Sequence, residues 1–167
     1  MTKRYLSTLL LIAYSALLFK VMVLKDLPMI RIGSLRFNLG GTQEGNANFF
    51  PFSSILPYLL GERGLMIGGI NIVGNIVLLI PIGFLLPLVY PGLLKKFFLL
   101  SFVPGLAIEV LQIVLRVGIF DIDDIILNGL GVMIGYGSFT VASKMLRWKK
   151  LNDIDTTAAN TQNNHHV

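Results

Sequence analysis

Four apolar runs, each close to the length needed to cross a bilayer, constrain this chain more than any other feature of its sequence. A helix that spans a ~30 Å hydrocarbon core needs about 20 mainly apolar residues. The runs lie at about residues 5–24, 65–89, 97–116 and 122–146. Lipid offers the backbone no hydrogen-bond partners, so a run of this length must satisfy its own, which a helix does. The expected fold is therefore all-α, an integral membrane bundle of about four transmembrane helices occupying residues 1–147. Composition agrees: 54% of the 167 residues are hydrophobic, 14% are charged, and the mean hydropathy is +0.73. One soluble core of this size could not enclose that much apolar surface.

The first run follows Lys3 and Arg4, as the apolar region of a signal peptide would. No small-x-small cleavage site precedes Lys25 and Asp26, however, which predicts a retained span. Its one charge, Lys20, is near enough to the end to snorkel. Orientation follows from Lys and Arg, because short basic segments stay cytoplasmic. Eight of them (Lys3, Arg4, Lys95, Lys96, Lys144, Arg147, Lys149 and Lys150) fall on one side of the four spans. Six (Lys20, Lys25, Arg31, Arg36, Arg63 and Arg116) fall on the other, most of them spread along the loop between the first two spans. Both termini are thus expected in the cytoplasm, with an extracellular loop between the first and second helices. The formal charge of +5 is read as this topological signal. Its residues flank apolar runs rather than clustering among exposed aromatics, which argues against nucleic acid as a partner and for membrane lipids. The absence of cysteine excludes disulfides, thiolate metal sites and cysteine nucleophiles.

Two segments lie outside the spans. Residues 148–167 are rich in Asn, Thr, Asp and Gln without apolar periodicity, and are expected to form a disordered cytoplasmic tail. His165 and His166 belong to that end and are not read as a metal site. The loop before the second span is Gly- and Asn-rich up to Asn48, then turns apolar and aromatic from Phe49 to Gly61. That stretch is too short to cross. It suits an interfacial segment with rings at headgroup depth, or a lipid-contacting rim over the bundle.

Polar groups inside hydrocarbon are costly and usually face the bundle interior or a wet cavity. Asn71 and Asn75 are four residues apart on one face of the second span. Glu109, Gln112 and Arg116 form a stripe on the third, and Asp121, Asp123 and Asp124 fill the turn that follows. Asn128 lies one helical turn beyond Asp124. By a rise of ~1.5 Å per residue, Asn71, Glu109 and Asn128 each sit roughly 9–10 Å inside corresponding ends of their spans. Three helices thus present polar groups at one depth and from one side. Simpler roles exist for some of them. The amides can join helices, Glu109 and Arg116 can neutralise each other, and Asp121 or Asp123 can cap the fourth span. An acid as deep as Glu109 is the hardest to account for by solvation.

Carboxylates with amides suit three tasks. They can hold a hard divalent cation through oxygen ligands, or supply an acid and a base, Glu109 and Asp124, for chemistry on a lipid-linked substrate. They can also bind polar headgroup or sugar–peptide groups without chemistry. No Ser-His, Cys-His, HExxH or phosphate-loop pattern supports a hydrolase or nucleotide enzyme. Gly131 and Gly135 form a small-xxx-small step for close helix packing, as do Gly64 and Gly68, while Pro81 and Pro104 should kink their spans.

Several of these stretches resemble a known family. Asn71-Ile-Val-Gly-Asn75, running on to Pro81, Gly83, Phe84 and Pro87, looks like the signature of VanZ-like membrane proteins. So do Glu109-Val-Leu-Gln112 with Arg116, and Asp121-Ile-Asp123-Asp124 with Asn128, Gly129, Gly131, Gly135 and Tyr136. Asn48 to Phe52 is similar to the family's segment before the second span, so the likeness covers about residues 48–144. It implies a multi-pass protein of the bacterial plasma membrane. The name-giving member is associated with resistance to teicoplanin, a lipid-bearing glycopeptide acting at the cell surface.

The function expected from residues and resemblance together is an outward-facing polar site that binds a cell-envelope component or amphiphile, with a link to lipoglycopeptide resistance. Asn71, Asn75, Glu109, Gln112, Arg116, Asp123, Asp124 and Asn128 would line it. The alternatives are an intramembrane enzyme acting on a lipid-linked cell-wall substrate and a small ion-coupled transporter. Against the transporter, no second polar cluster marks the opposite ends of the spans.

Overall fold

The computed structural model describes residues 2–23, 47–60, 65–91 and 96–164. The glycine-rich part of the long loop, Gly64 of its small-residue step, Lys95 and the two terminal histidines lie outside these. The described residues are helical, with no strand among them. In chain order they form α1 (Thr2–Leu18), prolonged by a π-helical turn (Phe19–Val23), then α2 (Ile55–Leu59), α3 (Leu65–Val89), α4 (Phe97–Leu100), α5 (Val103–Val114) and α6 (Ile122–Asn164). Four stretches are long and apolar enough to cross a membrane: Arg4–Val23, Gly69–Val89, Phe97–Val114 and Ile122–Ile154. They coincide with the four apolar runs. Even in the fourth, the most enclosed, only 39% of the most apolar window is buried, so the remaining surface calls for lipid.

Helices α3 and α6 form the centre of the bundle and lie side by side in the same direction. Glycines bring them together. A Cβ built on Gly131 would stand 2.1 Å from the Ile76 carbonyl oxygen, and one on Gly135 would stand 2.0 Å from that of Ile80. Gly83 on α3 returns the contact, 2.0 Å by the same measure from the Val132 oxygen. No side chain fits at any of the three, so backbone meets backbone, as at small-xxx-small crossings in lipid. Helix α5 runs back along α6, with Gly105 against Ile125 and Asn128, and the Phe102 ring against Gly129. Helix α1 closes the other side. Tyr14 donates a 2.9 Å hydrogen bond to the Leu78 carbonyl, in the turn of α3 that Pro81 disrupts. Leu18, Met22, Val23, Leu79, Ile82, Phe97, Ile108 and Val132 meet in one core, and Phe97 stacks on Tyr136 with ring centroids 4.0 Å apart.

The third span is interrupted beside Pro104, where a kink was expected: α4 ends at Leu100, and α5 starts at Val103 with Pro104 in its first turn. Proline is welcome there because the first amides of a helix lack helical acceptors, but it has no N–H for the Leu100 carbonyl behind it. Helix α6 continues past Trp148 to Asn164. No proline or glycine follows Gly137 to stop it. The side chains from Trp148 to Ile154 are all exposed, so this extension stands clear of the bundle.

Candidate functional site

The turn between α5 and α6 gathers most of the polar residues that the sequence singles out. Asp121 is the N-cap of α6, with its Oδ1 accepting the Asp123 N–H at 2.9 Å. The segment before α2 docks onto this turn. Asn48 forms an isolated parallel bridge with Asp121, its N–H donating to the Phe120 carbonyl (2.8 Å) and its carbonyl accepting from Ile122 N–H (3.1 Å). The Asn48 side-chain amide donates to Asp121 Oδ1 at 2.8 Å, and the Ser54 hydroxyl donates to Asp121 Oδ2 at 2.5 Å. Phe49 stacks on Phe120 with centroids 5.1 Å apart.

Asp123 is buried, at 1% exposure, and its carboxylate faces the same segment. Oδ1 accepts the Phe52 N–H at 2.5 Å, and Oδ2 accepts those of Ser54 (2.8 Å) and Ile55 (3.2 Å). One carboxylate thus meets three backbone donors where α2 begins, the end at which amides lack acceptors and negative charge is favoured. Phe52 is held at φ 68°, in the left-handed region that bulky residues avoid. The bond to Asp123 offsets that strain.

The remaining residues sit around this lock. Glu109, 1% exposed on α5, accepts the Asp121 N–H at 2.8 Å through Oε2, so its depth is matched by a backbone donor. Asn75 on α3 donates to Asp124 Oδ1 at 2.6 Å and ties α3 to α6. Gln112 is buried and donates to the Met22 carbonyl at 2.9 Å, in the π-helical turn after α1. Asn71 is exposed. With Ser54, Ile55, Ile72, Asp123, Asp124 and Leu127 it lines a half-open pocket with room for little more than a water molecule. Asn128 is fully buried away from that wall.

Arg116 departs from the expected stripe. It lies past the end of α5 at φ 56° with an exposed side chain, and the chain turns there toward Gly118. An i,i+7 pairing with Glu109 needs a helix continuous to residue 116, which this turn removes. Among the described residues no three His, Cys, Asp or Glu side chains are grouped to hold a metal ion. Protein donors meet the Asp121 and Asp123 carboxylates instead. Asn48 and Ser54 are the polar residues the sequence reading did not place in the site. Their signal was the Asn48-Phe-Phe-Pro-Phe-Ser-Ser54 stretch, read for its rings rather than its hydrogen bonds.

The VanZ/LLP1 family model matches residues 11–143, from within α1 to well along α6 and including every element of the lock. The chain belongs to the VanZ/LLP1 family. This match starts earlier than the likeness at 48–144, taking in most of the first span. A comparison with curated proteins and one with solved structures found no match. As a VanZ-like membrane protein, the chain carries the residues of its family-like motifs in two groups. Asp121, Asp123 and Glu109 hold the α5–α6 turn and the pre-α2 segment together, while Asn71 and Asp124 line the pocket and Asn75 ties α3 to Asp124.

Proposed function

We propose that this VanZ-like protein sits in the bacterial plasma membrane with its α5–α6 turn facing outward, and there binds the polar part of an amphiphilic envelope component. One observation carries the reading. The pocket of Ser54, Asn71, Asp123 and Asp124 adjoins a segment whose Phe49, Phe50, Phe52, Leu56 and Leu59 are exposed by half or more. The recess admits only a group about the size of a water molecule, such as one hydroxyl or amide of a polar head, while the adjoining apolar rim suits the tail of an amphiphile. The rim is held in place by the bonds to Asp121 and Asp123, which lowers the ordering cost of binding. The distribution of Lys and Arg supports the outward orientation.

A lipid-bearing glycopeptide of the teicoplanin type has this same division of polar head and apolar tail. Family membership makes resistance to it a phenotype to test. The direct experiment reconstitutes the protein in lipid nanodiscs with a photoactivatable lipid-linked cell-wall precursor. Crosslinks should fall on residues 49–60 and near Asn71, and Asn71→Ala with Asp124→Asn should reduce them. Uniform labelling of all four spans, unaffected by these substitutions, would defeat the reading. In parallel, expression in a susceptible bacterium should raise the inhibitory concentration of teicoplanin and leave that of a glycopeptide lacking the lipid tail unchanged.

A further inference from the structure

Asn128 stands apart among the described buried polar residues. It is 0% exposed, and neither its Oδ1 nor its Nδ2 has a hydrogen-bond partner among the described residues. An amide in that condition, about two turns into a helix that crosses lipid, is among the least favourable groups a bundle can bury. Native structures rarely leave such a group without a partner, and an internal water is a common one.

The chain facing Asn128 is an interrupted helix. Helix α5 approaches it at Gly105, where an added Cβ would stand 2.9 Å from the Asn128 Cβ. One turn earlier the third span breaks at Ser101 and Phe102. There Pro104 cannot serve the Leu100 carbonyl, which would accept its N–H in an unbroken helix. Ser101, also 0% exposed, donates its hydroxyl proton to the Phe98 carbonyl at 2.6 Å and retains its lone pairs. One side therefore offers an amide able to donate and accept. One turn along the third span from the Gly105 contact lie backbone and hydroxyl oxygens displaced from a regular helix.

We propose that Asn128 holds an internal water that ties α6 to the break between α4 and α5. Water suits the site because it donates and accepts at once, and a buried one makes about three bonds. An apolar ligand would leave the amide unmatched, and the buried carboxylate of Glu109 already accepts the Asp121 N–H rather than facing a cation. Asn128 then acts as a positioning residue that holds the broken third span against α6. It stands apart from the amphiphile pocket, whose wall it does not form, so either assignment can fail without the other.

The test uses the full chain in lipid bilayers with ¹⁵N-labelled asparagine, studied by proton-detected solid-state NMR. The Asn128 side-chain amide is identified by its loss in Asn128→Leu. It should show a cross-peak to water at mixing times where exposed Asn152 shows one. Asn128→Leu, similar in volume, should lower the melting temperature by several degrees because it strands the groups the water bridges. Asn128→Ser, which keeps a hydrogen-bonding group, should lose less. The proposal is overturned if Asn128 shows no water cross-peak while Asn152 does. It is also overturned if Asn128→Leu melts at or above the unmodified protein, the result expected when only an unsatisfied amide has been removed. Should the Leu variant not fold, the cross-peak, assigned then from Asn128→Ser, decides alone.

Discussion

Removing the Asp123 carboxylate should release the aromatic segment from the bundle while leaving the bundle folded. The carboxylate accepts the N–H groups of Phe52, Ser54 and Ile55 at 2.5, 2.8 and 3.2 Å. Hydrogen bonds to charged groups contribute about 1.5–3 kcal/mol each, so three amount to about 4–9 kcal/mol. The segment is only half-buried, and its amides regain water once it opens, which puts the effective loss near the lower end. A loss of about 4 kcal/mol shifts the opening equilibrium roughly a thousandfold, at 1.4 kcal/mol per factor of ten. The left-handed φ of Phe52 works in the same direction, since opening relieves it. Hydrogen exchange with mass spectrometry of Asp123→Ala in detergent should therefore show protection at residues 52–55 falling by about that factor. The α3–α6 amides should stay protected. Asp123→Asn keeps one acceptor oxygen but turns an NH₂ toward a backbone N–H, so it should fall between. A folded Asp123→Ala protein whose segment loses less than about tenfold protection would refute the assignment of Asp123 as the clamp.

Three further outcomes follow from the geometry. Gly131→Ala or Gly135→Ala should separate α3 from α6 and abolish a cooperative melt, because the new methyl would overlap a carbonyl oxygen. Gly137→Ala, with nothing within 4 Å of its Cβ, should be neutral or stabilising by about 0.5–1 kcal/mol, and equal melting of the three would count against the packing. A double-mutant cycle of Asn75→Ala and Asp124→Ala, followed by thermal unfolding in detergent, should return a coupling of about 0.6–1.7 kcal/mol. The chain has a single tryptophan, Trp148. Phe50→Trp in a Trp148→Phe background should thus emit to the blue of water-exposed indole and be quenched by brominated lipids, whereas water-like, unquenched emission would show that the rim does not meet the bilayer.

What could be read from the sequence is what depends on near neighbours along the chain. The four spans follow from the length and apolarity of each run, which a bilayer selects without reference to any other part of the molecule. The close α3–α6 approach was legible in the spacing of Gly131 and Gly135, since four residues make one face of a helix wherever it packs. Asp121 as a cap was legible for the same local reason. Helix rise alone gave Asn71, Glu109 and Asn128 a similar expected depth, but not which groups each would meet.

Folding decided which groups those side chains would meet. Asp123 is matched by the backbone N–H groups of Phe52, Ser54 and Ile55, Glu109 by that of Asp121, and Gln112 by the carbonyl of Met22. Every non-proline residue carries the same N–H and C=O, so no pattern in the sequence marks the ones that will be used. Arg116 left its stripe because α5 ended before it in a left-handed turn, and Asn128 came to face Gly105 of α5, which has no side chain to meet its amide. Side chains announce their chemistry along the chain, whereas the backbone groups that answer them become distinct only when distant segments are brought within a few ångströms.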